Sequence, residues 1–192
     1  MKIDVICRGK LSRLVEDILL EEGHELQFFD DTMDDYPNTD KSVNQNIFIA
    51  TGEPEPRKNF FEFYKNRNHV SAISKKAIVS SKAKLSPGSV VNHFSSVGAL
   101  ADLGMACLIH TNSNIDVGVK VGDWCRFGSN VHVAEYVTIG DGCIVGSGAV
   151  ITPRVSIGNN CVVCAGSVVT HSFGDNLIIG GVPARSLRQN NE

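Results

Sequence analysis

Every sixth residue from Ile73 to Val169 is apolar, and nothing else in this chain constrains its fold so tightly. The series runs Ile73, Val79, Leu85, Val91, Val97, Leu103, Ile109, Ile115, Val121, Phe127, Val133, Ile139, Val145, Ile151, Ile157, Val163 and Val169, without one insertion. The residue four places after each from Ile73 to Val163 is small or β-branched, from Ala77 and Ser89 through Cys107, Val119 and Cys143 to Ser167. A helix repeats about every 3.6 residues and a half-buried strand every two, so neither accounts for the pattern. One large and one small inward residue per hexad describes one face of a parallel β-helix, whose stacked coils bury a continuous core.

The same period explains four of the six cysteines. Cys107, Cys125, Cys143 and Cys161 lie 18 residues apart, which is three hexads. With three hexads to a triangular coil, they form one column at about 4.8 Å per coil. Such a column reads either as a metal or redox ladder, or as thiols in a slot that elsewhere takes Ser, Ala and Val, since free cysteine packs as a small hydrophobe. Zinc ligands converge in close clusters, and the single CxxC at Cys161–Cys164 has no second pair. The sequence therefore predicts packing and no metal.

Ahead of the hexads the pattern changes. Lys2–Cys7 reads as a buried strand, followed by a turn at Arg8-Gly9-Lys10. Leu11, Leu14, Val15, Ile18 and Leu19 recur at helical spacing, with Gly23 where a helix C-cap would fall. Glu25–Phe29 is a second strand ending at Asp30-Asp31, and Gln45–Ala50 a third running into Thr51-Gly52. A helix is expected to begin after Pro56. This order is that of a small Rossmann-like α/β unit, placed at residues 1–70, with the β-helix and a C-terminal tail at 71–192. Ligands bind such units at the carboxyl ends of the strands, here Gly9, Lys10 and Leu11, then Asp30, Asp31 and Gly52. The GxGxxG fingerprint is absent, and the acidic pair reads equally as a hydroxyl-binding site or as the solvated start of a loop.

Composition removes other classes. A formal net charge of −3 over 192 residues gives no basic footprint for nucleic acid. No apolar run reaches membrane-span length. The opening MKIDVIC is too short for a signal-peptide core, and a cytoplasmic location with reduced thiols is the expectation.

The hexads, the IGDG step at Ile139–Gly142 and the ending GGVPAR (180–185) resemble the hexapeptide acyltransferases, whose β-helix is left-handed. With a Rossmann-like unit in front, the chain is similar to the sialic-acid O-acetyltransferase and UDP-4-amino-sugar N-acetyltransferase (NeuD/PglD-like) family. The resemblance implies a homotrimer with acetyl-CoA along the β-helix between subunits and a nucleotide sugar on the N-terminal unit. By position, it carries the CoA contacts to Arg126, Ser147 and Ala165, near the GVPAR tail, and the sugar-nucleotide loop to Gly9, Lys10, Leu11, Asp30, Asp31 and Gly52. A guanidinium at Arg126 suits a CoA phosphate, although an outward-facing charge is also ordinary on a solenoid.

Two positions depart from that family. The first-domain histidine is replaced by Leu11. The catalytic histidine, which follows an Ile-Asp or Ile-Glu pair, is replaced in Ile115-Asp116-Val117-Gly118 by Val117, and valine accepts no proton. Acyl transfer from a thioester needs a base for the attacking amine or hydroxyl. Of the six histidines, His24 and His69 fall in or beside the first unit, and His171 at the end of the β-helix. His93 is a coil and a face away from Val117. His110 and His132 remain the candidate bases, with His110 ahead because it sits seven residues before Val117. Two functions stay open: a CoA-dependent acyltransferase acting on a nucleotide-activated sugar, or a non-catalytic β-helix trimer serving as a ligand-binding or scaffold subunit.

Overall fold

The structure, a computed structural model, describes residues 1–7, 9–29, 44–52 and 54–190. It divides into two compact units, Met1–Lys75 and Lys76–Glu192. The division falls a few residues later than the 70/71 boundary read from sequence, because Ala72–Ile73 lies against the helix of the first unit.

In that unit, β1 (Lys2–Ile6), β2 (Glu25–Phe29), β3 (Asn46–Ile49) and β4 (Asn68–His69) form a parallel sheet in the order β2-β1-β3-β4. The central strand is buried along Ile3–Ile6, with Ile3, Val5 and Ile6 apolar. Helix α1 (Lys10–Glu21) lays Leu11, Val15, Ile18 and Leu19 into the core. Gly23 follows with φ +85, and its amide and that of His24 close on the carbonyls of Leu20 and Leu19. That is the left-handed glycine stop expected at this position.

Helix α2 spans Pro54–Phe63 and so starts before Pro56, not after it. Both prolines lie in its first turn, where amides have no intrahelical acceptor and a missing N–H costs nothing. Strand β4, at only two residues, is too short to show a sequence pattern. Asp4, fully buried in β1, accepts hydrogen bonds from the backbone amide (2.5 Å) and side-chain amide (2.7 Å) of Asn44. A buried carboxylate needs such donors, and here they come from the residues just ahead of β3.

The second unit is the hexad solenoid. Three parallel sheets form its faces. The first face stacks Val90–Val91, Leu108–Ile109, Arg126–Phe127, Ile144–Val145 and Val162–Val163. The second stacks Ile78–Val79, Ser96–Val97, Asn114–Ile115, His132–Val133, Val150–Ile151 and Val168–Val169. The third runs from Lys84–Leu85 through Asp102–Leu103, Lys120–Val121 and Thr138–Ile139 to Ser156–Ile157.

Each inward series is buried as the hexads require: the large residues from Val91 to Val169, and the small ones from Ser89 to Ser167. Val79 and Leu85, at the starting end of the stack, are half-buried. Each buried Val, Leu or Ile contributes about 1.5–3 kcal/mol. The small inward residues have a second task. Ser95, Ser113, Cys125 and Cys143 donate to the carbonyls of His110, Gly128, Gly140 and Gly158, at 2.7–3.0 Å.

Corners between faces carry a left-handed residue every six positions, from Gly88 through Phe94, Leu100, Ala106, Asn112 and Gly118 to Gly166, with φ between 52 and 75. The glycines of Gly122-Asp123, Gly140-Asp141 and Gly158-Asn159 are not these residues. Their need for glycine comes from close approach and not from φ. A β-carbon on Gly122 would stand 2.8 Å from the Asp141 nitrogen, and one on Gly140 2.8 Å from that of Asn159.

The stack ends in a hairpin. Leu177–Gly181 joins the first face beside Val162–Val163, and Ala184–Gln189 returns antiparallel to it across a cis Val182–Pro183 bond. The tail is thus two paired strands. Among the described residues, no helix is long and apolar enough to cross a membrane.

Candidate active site

The solenoid places the candidate residues on two different corners. The corner between first and second faces stacks Asn92, His110, Gly128, Gly146 and Cys164 in one column. Beside it run His93, Thr111, Ser129, Ser147 and Ala165. Ser147 and Ala165, 18 residues apart, therefore stand one above the other, both exposed. A β-carbon on Gly128 would meet the Ser147 nitrogen at 2.6 Å, and one on Gly146 the Ala165 nitrogen at 2.5 Å, so these coils lie in contact. The tail reaches this corner too, where the Gly181 amide donates to Ser167 Oγ at 3.2 Å. Arg126 sits just before it on the first face, half-buried, in register between Leu108 and Ile144.

His110 belongs to this same corner. Its amide donates to the Phe127 carbonyl at 3.0 Å, and its carbonyl accepts from Ser95 Oγ at 2.8 Å. Burial holds its imidazole below the usual histidine range, and the Arg126 guanidinium adds to that. Next to it Asn92 is fully buried, donating from Nδ2 to Thr111 Oγ1 at 2.9 Å and accepting from the His93 amide at 2.7 Å.

Val117 is at the next corner, between second and third faces. The strand Asn114–Ile115 separates it from His110, so seven residues of sequence become a whole face of the coil. His132 approaches the residue ahead of Val117. It projects from the second face in register above Asn114, and its Nε2 lies 3.9 Å from Oδ2 of Asp116, the residue before Val117. Tyr136, in the following coil, donates its amide to the Val117 carbonyl at 3.0 Å and lays its ring against Gly118. The Arg154 guanidinium carbon stands 5.7 Å from the centre of that ring. Asp116, Tyr136 and Arg154 were not singled out from sequence. The spacing was available: Gly118, Tyr136 and Arg154 are 18 residues apart, like the cysteines.

In the first unit, Gly9 caps α1 with extended backbone and no side-chain cap, while the Ser12 hydroxyl donates back to the Gly9 carbonyl at 2.7 Å. Lys10 is exposed and Gly52 half-buried. Leu11 is only 7 % exposed, with its side chain in the core, so it could offer a ligand only its backbone amide. Asp30 and Asp31 lie outside the described residues. Among the described residues, no group of three or more His, Cys, Asp or Glu side chains is placed to hold a metal ion.

Residues 136–171 match the family described as bacterial transferase hexapeptide (six repeats), and residues 118–153 the hexapeptide repeat of succinyl-transferase. No curated protein matches the chain. Among solved structures, it is similar to a mutant of perosamine N-acetyltransferase from Caulobacter crescentus in complex with CoA and GDP-perosamine. That similarity has 24% identity and a TM-score of 0.92, and covers 98% of both chains. The acetyltransferase domain of PglB from Neisseria gonorrhoeae FA1090 is similar at 22% identity and TM-score 0.90, over 97% of this chain and 99% of that one. WeeI from Acinetobacter baumannii AYE is similar at 19% identity and TM-score 0.81, over 97% and 100%. The chain thus carries hexapeptide repeats wound into a left-handed parallel β-helix behind an α/β unit.

Proposed function

We propose that this chain transfers an acetyl or related acyl group from CoA to an amino or hydroxyl group of a nucleotide-activated sugar, working as a homotrimer in the cytoplasm. The observation that carries this reading is the end-to-end likeness, both units in order, to a perosamine N-acetyltransferase holding CoA and GDP-perosamine. The first solenoid corner supports it, with Arg126, the Ser147–Ala165 column and the Gly181 turn on one stretch of surface. CoA takes that stretch, through a guanidinium for phosphate and exposed backbone for the pantetheine arm. The nucleotide sugar takes the α1 N-terminus around Gly9 and Lys10, where free amides favour phosphate, together with Gly52, Asp30 and Asp31.

A second reading, a non-catalytic trimer that binds ligands or acts as a scaffold, is favoured by Val117. One assay separates the two. The full chain is incubated with acetyl-CoA and a panel of UDP-, dTDP- and GDP-linked amino sugars, and thiol release and acylated product are followed. Turnover with any acceptor establishes the transferase. Thermal stabilisation by CoA and by a nucleotide sugar without turnover establishes the scaffold.

A further inference from the structure

We propose that the cavity between α1 and β2 receives the base of the nucleotide sugar, and that Glu16, Arg13 and Phe28 select guanine there. This rests on the nucleotide-sugar reading and narrows it to sugars carried on guanosine diphosphate. The cavity, of about 230 Å³, is lined by Ser12, Arg13, Glu16 and Phe28, all within the first unit.

Its position comes first. In a Rossmann-like unit a diphosphate lies at the N-terminus of the first helix and the ribose beside the carboxyl end of the second strand. The cavity adjoins both places. Ser12 in its wall donates to the carbonyl of Gly9, the cap of α1, at 2.7 Å, and Phe28 is the penultimate residue of β2. Strand β2 is the edge of the sheet, so no further strand closes that side. Its size fits as well. Pockets for drug-sized ligands run to about 300–1,000 Å³, and this smaller one suits a single heterocycle.

The lining decides which heterocycle. Ser12 and Arg13 stand four and three residues before Glu16, so the three share one face of α1. Among the described residues, no ion pair joins Arg13 to Glu16. Arg13 is exposed, whereas Glu16 and Phe28 are half-buried. A cation, a carboxylate and an aromatic ring thus line one small space. Guanine carries two adjacent donors, N1–H and the 2-amino group, followed along the same edge by the acceptors O6 and N7. A carboxylate accepts from both donors, and a guanidinium donates to both acceptors. Uracil and thymine set their one N–H between two carbonyl oxygens, which a carboxylate repels. Adenine and cytosine place a ring acceptor beside the amino group. Phe28 gives the face of the base an apolar surface for stacking. These residues touch no reacting atom; they set specificity.

The test measures binding of GDP, UDP, dTDP and inosine diphosphate, which lacks the 2-amino group, to the full chain by calorimetry. GDP is expected to bind tightest. Glu16→Gln should weaken GDP about 10- to 100-fold, leave UDP unchanged, and bring GDP and inosine diphosphate to similar affinities. Arg13→Ala should weaken both purine nucleotides and not UDP. Circular dichroism checks that each variant keeps its fold. UDP or dTDP bound as tightly as GDP, or a GDP preference indifferent to Glu16→Gln, overturns the guanine assignment and leaves the nucleotide-sugar reading standing. No binding of any nucleoside diphosphate to the wild type overturns both.

Discussion

The Asp141 carboxylate accepts a hydrogen bond from the Asp123 amide, one coil earlier, at 2.8 Å, and so takes the space a β-carbon on Gly122 would need. The arrangement repeats along the edge. Asp123 accepts from the Met105 amide, Asn159 from Asp141, and Asp175 from Asn159, at 2.7–2.9 Å. Each side chain satisfies an amide that the corner would otherwise leave open, and each requires glycine ahead of the residue it caps. Gly122→Ala is therefore expected to cost about 1–3 kcal/mol, as overpacking does. Gly52→Ala, where nothing lies within 4 Å of the added carbon, should be close to neutral in comparison. Urea unfolding of the two variants measures the difference.

The cysteine column gives a second expectation. Cys107, Cys125, Cys143 and Cys161 are free and buried, whereas Cys7 and Cys164 are half-buried. The Cys143 thiol is pushed far up, first by its hydrogen bond with Cys125 and then by burial. Cys125 is raised by its bond with Cys107, and Cys161 by burial. The reactive species is the thiolate, so these groups should be inert in the native protein. Mass-mapped alkylation at neutral pH should find label on Cys164 and Cys7 first, and on the column only after denaturant. Rapid native labelling of the column would contradict the stacking.

His110 sets an acid limit on the solenoid. Its folded pKa is lowered, by burial first and by Arg126 second, below the value of about 6.5 that it has when unfolded. Between the two values the unfolded chain binds more protons, so stability rises with pH there. The contribution is complete above about pH 6.5 and is lost as pH falls through the folded pKa. His69 in the first unit is lowered by burial in the same sense. Thermal midpoints taken from pH 7.5 to 5 should therefore fall, and His110→Asn should flatten part of that fall. An unchanged slope in the variant would mean that His110 titrates freely.

The extent of the solenoid, its core residues and the cysteine column were legible because one period governs them all, and burial follows that period from Val91 to Val169. The role of Gly122 was not, because it depends on where Asp141 reaches in the next coil. The pairing of Asp116 with His132 was hidden for a similar reason. It crosses from a corner of one coil to a face of the next, a 16-residue offset that shows no periodicity of its own. The separation of His110 from Val117 could have been foreseen, since six residues carry the chain along one whole face. Strand β4 and the start of α2 escaped because Asn68–His69 has no pattern and Pro54 precedes the expected break.

Arg126 links the two halves of the first corner, and its removal should show in both. Half-buried between Leu108 and Ile144, it presents a planar, permanently charged donor set beside the Ser147–Ala165 column. A charge-assisted hydrogen bond to a CoA phosphate is worth about 1.5–3 kcal/mol. Arg126→Ala should then weaken CoA roughly 10- to 100-fold by calorimetry, while affinity for a nucleotide sugar stays as it was. Arg126→Lys should recover part of the loss, since it restores charge without the bidentate fork. The same substitution removes the second cause of the low His110 pKa, so the His110 resonance should titrate at higher pH in Arg126→Ala by NMR. Equal losses for CoA and nucleotide sugar would show that Arg126 supports the fold and not the cofactor. A shift of the His110 titration without any change in CoA binding would place the phosphate elsewhere on the solenoid.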